Sequence, residues 1–74
     1  MAQQIGTYRG VPVFRVSGAE FAREANKSNC KGAFSKDGCL SVANDFDAEL
    51  IGILHYPPSN SSYFPYIAVL RRRR

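Results

Sequence analysis

The sequence predicts a small α+β domain: an antiparallel sheet of about five or six short strands with one helix packed on a face. Three observations carry this. Short β-branched and aromatic runs alternate with turn residues along most of the chain. One segment bears a helix-start signature followed by an apolar stripe. With 45% hydrophobic and 22% charged residues, the chain falls within the range of a folded globular domain.

Residues 3–8 and 11–16 read as a first hairpin. Val11, Val13 and Val16 are β-branched, Phe14 is aromatic, and Arg9-Gly10 makes a tight connection. Pro12 lacks a backbone donor, which places this strand at a sheet edge, with Pro12 on the unpaired side or at the strand's start. The helix comes next. Ser17 is its N-cap, Glu20 completes a capping box, and Val16 and Phe21 form a hydrophobic staple. Its pattern fails over residues 26–29.

Residues 33–35 and 39–43 flank Lys36-Asp37-Gly38, and the Asp-Gly pair predicts a second hairpin. Residues 44–49 form an acidic connection. Residues 50–56 are a buried strand, or as the alternative a second helix at 45–54; Gly52 and the β-branched Ile51 and Ile53 favour the strand. A Pro- and Ser-rich loop leads to a last strand over 63–70. The predicted order is β-β-α-β-β-β-β, one domain over residues 1–70 with a basic C-terminal tail at 71–74.

Both late strands are apolar on both faces, whereas the pattern supplies one helix. One sheet face would then lie open, as an apolar patch of the kind that marks an interaction site. This makes Tyr63, Phe64 and Tyr66, with the acidic residues Asp45, Asp47 and Glu49, the candidate protein-binding set.

Chemistry-bearing patterns are sparse. The six glycines fit no phosphate-loop spacing. Cys30, Cys39 and His55 are too few and wrongly spaced for a structural zinc site, so neither metal nor cofactor is expected. Cys30 and Cys39 are expected as free thiols, given no signal peptide, with a disulfide across the second hairpin as the alternative. A Cys–His nucleophile lacks a third group that the spacing selects, and Asp45, Asp47 and Glu49 would serve a cation-dependent nuclease only if they shared a strand face. His55 reads as a strand-end histidine bonded to a backbone group.

The net charge of +4 resides in Arg71, Arg72, Arg73 and Arg74, since the rest of the chain balances six cations against six anions. Aromatic residues followed by arginines are a nucleic-acid-binding composition. Positive residues from Arg9 to Lys36 precede the acidic Asp37, Asp45, Asp47 and Glu49, a polarity that would orient the domain on a charged partner.

No run approaches the roughly 20 apolar residues of a membrane span, and a cytoplasmic protein is expected. The leading functional reading is a non-enzymatic protein-binding module, an inhibitor or adaptor acting on a larger complex. That size class includes inhibitors encoded by phages and mobile elements, anti-CRISPR proteins among them. The partner is another protein, or a second copy in a homodimer. A nucleic-acid-binding regulator using the arginine tail is the alternative. A small ribonuclease-type toxin, with His55, Tyr56 and the tail arginines acting on RNA, is the third.

Overall fold

The computed structural model describes residues 3–27, 29–56 and 64–72. Their order is β1 (Gln3–Tyr8), β2 (Val11–Arg15), α1 (Gly18–Ala25), β3 (Cys30–Ala33), α2 (Lys36–Asp45), β4 (Ala48–His55) and β5 (Tyr66–Arg72). The strands form one five-stranded sheet in the order β1-β2-β4-β5-β3. All neighbours are antiparallel except β2 and β4, which run parallel. The α+β class stands, with a mixed sheet and two helices.

The first hairpin turns on Arg9 and Gly10, both at positive φ, as a two-residue connection matched to strand twist requires. Strand β2 lies inside the sheet, however, and not at its edge. Pro12 is accommodated at the strand's start, because pairing with β4 begins only at Val13. Helix α1 follows its signature: the Ser17 side chain accepts from the Glu20 amide at 3.2 Å, and Asn26 closes the helix.

The predicted second hairpin is replaced by a helix. Ser35 caps α2, its hydroxyl accepting from the Gly38 amide at 2.9 Å. Asp37 lies in the first turn, where the helix dipole favours an anion. Asp-Gly is therefore part of a helix start and not a strand-joining turn. Cys39, Val42 and Ala43 then share one helical face and pack on the sheet. The alternative helix at 45–54 is absent, and that stretch is mostly strand β4.

This second helix overturns the expectation of an open sheet face. Adjacent residues along β2, β4 and β5 enter two separate clusters. Val13, Ile53 and Ala68 join Cys39 and Ala43 beneath α2. Leu54, Ile67 and Val16 join Cys30 and Phe21 beneath α1. Both sheet faces carry a helix, which is why the late strands are apolar without alternation. A bulge between Leu50 and Gly52 shifts the register of β4 against β5, so that Leu50 and Ile53 serve the same cluster.

The alternative of a Cys30–Cys39 disulfide is not realised. Cys30 and Cys39 are free and buried, on opposite sides of the sheet in different clusters. Among the described residues, no helix is long and apolar enough to cross a membrane.

A domain of this size holds about 3–5 kcal/mol of stability. Truncating the fully buried Ile53 to Ala costs about 2–5 kcal/mol, and is expected to remove most of that stability. Ser35→Ala removes only the α2 cap and costs about 1 kcal/mol. Urea titration followed by circular dichroism measures both. A Ser35→Ala variant as stable as the parent would contradict the capped helix.

A candidate interaction surface around strand β3

Strand β3 ends the sheet, and among the described residues it pairs with β5 alone. The Leu70 amide donates to the Asn29 carbonyl at 2.8 Å. Antiparallel ladders alternate, so Asn29, Lys31 and Ala33 turn their backbone groups toward β5. Cys30 and Gly32 turn theirs outward. The Cys30 amide bonds back to the Lys27 carbonyl at 3.2 Å. Among the described residues, the outward edge that remains consists of the Cys30 carbonyl and both backbone groups of Gly32.

Two different surfaces flank this edge. On the α1 side, Phe34 is 73% exposed and Phe64 44% exposed, with ring centroids 4.6 Å apart. Phe64 lies directly on Gly32, where a Cβ would sit 2.4 Å from the ring. Only glycine permits that seat. On the α2 side, a cleft of about 350 Å³ has Lys31, Phe46, Asp47 and Arg72 in its walls, over Ala48 and Leu70. Its size is at the small end of ligand sites, about 300–1,000 Å³. The Lys31 ammonium rests 5.1 Å from the centre of the Phe46 ring, which is itself 60% exposed.

The cleft wall formed by the end of α2 has a cost. Asp47 follows the helix with φ of 50°, a left-handed conformation that Asp tolerates better than most side chains. Asp45 and Asp47 both stand at the C-terminal end of the helix, where its dipole disfavours anions and the last turn itself carries no basic residue.

The residues singled out from sequence scatter across this geometry. Phe64 and Asp47 belong to the surface, and Arg72 joins them in the cleft. Asp45 is exposed at the end of α2. Glu49 accepts from Arg71 through Nε at 3.1 Å and Nη2 at 2.5 Å, an exposed pair that ties two predicted site residues to each other. Tyr66 is half-buried against the α2 cluster. Tyr63, Arg73 and Arg74 lie outside the described residues. Asp45, Asp47 and Glu49 fall on a helix, a turn and a strand, so they do not form the shared strand face a nuclease would need. Among the described residues no three metal-ligating side chains gather.

The ribonuclease grouping is likewise taken apart. Of that grouping, His55 stands at the opposite end of β4 from the described arginines Arg71 and Arg72, since His55 pairs with Tyr66 and Glu49 with Arg71. Six residues of strand separate them, about 20 Å. His55 Nδ1 lies 3.2 Å from the Pro65 carbonyl and the ring stacks on Tyr66 at 4.6 Å, as the strand-end reading holds. Tyr56 packs instead on Phe21, on the α1 side.

The thiols are poorly placed as nucleophiles. Burial raises the pKa of both, and that of Cys39 is pushed up to about 11. The charge polarity along the sequence is interrupted in space at two points. Lys31 lies beside Phe46 and Asp47, and Arg71 beside Glu49.

Sequence reasoning missed Lys31, Gly32, Phe34 and Phe46. No local pattern distinguishes them; they become a surface only because β3 is an edge and α2 ends beside it. The chain matches no family model, no curated protein and no solved structure.

Two outcomes test the geometry. Gly32→Ala forces Phe64 off its seat and abolishes the Phe34–Phe64 ring contacts in a nuclear Overhauser spectrum; persistence of those contacts contradicts the packing. Separately, folded Cys39 keeps its proton from about pH 9 to about 11, while the unfolded chain has lost it. Stability therefore falls as pH rises through that window. In Cys39→Ala this alkaline decline is expected to be shallower, and an unchanged slope in urea titrations would contradict the buried thiol.

Proposed function

We propose that the chain is a non-enzymatic protein-binding module that takes an extended segment of its partner along the outer edge of β3. The observation that carries this is the outward-facing backbone of Gly32, set between an exposed aromatic pair and a cleft. Strand addition uses such an edge: main-chain hydrogen bonds supply affinity, and flanking pockets read alternate side chains. An uncovered edge also risks unwanted pairing, which short edge strands limit. Strand β3, at four residues, is the shortest of the five. A module of this kind acts as an inhibitor or adaptor by occupying its partner's segment.

The nucleic-acid reading draws on Phe46, Lys31 and Arg72, an aromatic ring with two cations. Against it, Lys31 and Arg72 less the carboxylate of Asp47 leave the cleft a surplus of one positive charge, which suits a single carboxylate and does little for a polyanionic backbone. Arg71 is already engaged by Glu49. The protein reading also makes use of Phe34 and Phe64, which lie on the α1 side, away from the cations of the cleft.

The test is selection of binders from a random peptide library on the immobilised protein, followed by amide chemical-shift mapping of the winners. Shifts centred on Cys30–Ala33 and on the Phe34 and Phe64 rings are expected. Winners that map to β1 or to α1, or tighter and salt-sensitive binding of an oligothymidylate at Phe46 and Arg72, would contradict the proposal. Pairing of two copies through β3 would show instead as concentration-dependent mass in sedimentation.

A further inference from the structure

The two surfaces beside β3 differ in chemistry, and a strand's side chains alternate between two faces. A segment added to β3 would place one set of side chains toward Phe34 and Phe64 and the other toward the cleft. Toward Phe34 and Phe64 it meets two aromatic rings lying over a glycine. Toward the cleft it meets Lys31 first, because Lys31 lies on β3 itself, with Arg72 of β5 behind. Two cations there face the single carboxylate of Asp47.

Resting on the strand-addition reading, we propose that the partner segment alternates in character, with an acidic side chain held by Lys31 and Arg72 and an apolar one set against Phe34 and Phe64. The acid has donors on two sides. Lys31 approaches from the strand edge, and Arg72 offers a planar fork suited to a carboxylate. Phe46 lines the cleft beneath the Lys31 ammonium and gives the stem of a Glu an apolar wall. The opposite side needs no charge, and a β-branched or aromatic side chain fits it.

The test uses three blocked octapeptides in which Ile alternates with Glu, with Gln or with Lys, titrated into the full chain and followed by amide shifts. All three can form the same main-chain bonds, so they differ only at the cleft. The Glu peptide is expected to shift the amides of Cys30–Ala33 and to bind about fivefold tighter than the Gln peptide at 50 mM salt. Two exposed charge pairs supply a difference of that size. The difference is expected to vanish at 500 mM salt and in the double variant Lys31→Gln, Arg72→Gln, whose amide spectrum reports whether the fold is retained.

Equal binding by the Glu and Gln peptides overturns the inference while leaving strand addition in place. Tighter binding by the Lys peptide overturns it too, and makes Asp47 the governing charge. If no peptide shifts the β3 amides, strand addition itself fails. An oligothymidylate that displaces the Glu peptide from Lys31 and Arg72 at lower concentration assigns the cleft to nucleic acid and overturns the inference.

Discussion

Everything in this fold depends on covering a sheet that is apolar on both sides. Ile53 and Ala68 point toward α2, while their chain neighbours Leu54 and Ile67 point toward α1. Neither helix could be spared, since exposing either cluster would return several buried side chains to water at roughly 1.5–3 kcal/mol each. That loss is comparable with the whole stability of a domain this short. The two coverings are unequal. Helix α2 contributes the buried Cys39 and Ala43 and rests on β3, β4 and β5, whereas α1 has no fully buried residue and rests on β3 and β5.

Two-sided cover moves the question of function from the faces of the sheet to its edges. At one edge, β1 is exposed along most of its length but bulged near Ile5, and Tyr8 at its far end is bonded to Asp37 of α2. The bulge interrupts the regular ladder there. At the other edge β3 is short and straight in register, with Gly32 in its middle. What distinguishes β3 is its flanks, one aromatic and one a mixed-charge cleft. The exposed pair Arg71–Glu49 adds little by itself, since such pairs contribute under about 1 kcal/mol. Strand β5 itself carries Arg71 and Arg72 into the sheet.

Sequence alone revealed the parts whose cause is local. The Arg9-Gly10 hairpin and the Ser17–Glu20 helix start need nothing beyond their own residues. The choice of strand for most of residues 50–56 also held, because Gly52 and the β-branched Ile51 and Ile53 disfavour a helix. Where local chemistry is ambiguous, sequence failed. Ser35-Lys36-Asp37-Gly38 satisfies both a turn and a helix start, and the decision comes from Cys39, Val42 and Ala43 finding the sheet beneath them. Missing α2 produced the mistaken open face, and the open face in turn drew attention to Tyr66, which is half-buried beside His55. Lys31, Phe34 and Phe46 were invisible for a related reason. Each is an ordinary residue near a turn until topology sets it beside an edge.

The central claim is that α2 seals its face of the sheet and that, among the described residues, the outer side of β3 is left as open backbone. Residue-resolved amide hydrogen exchange in the native state tests it most directly. The account predicts slow exchange for Cys39–Ala43 and for the β4–β5 ladder, with the Gly32 amide exchanging quickly beside a protected Lys31. Unprotected amides across residues 36–45, or a Gly32 amide as slow as its neighbours in the isolated chain, would contradict it.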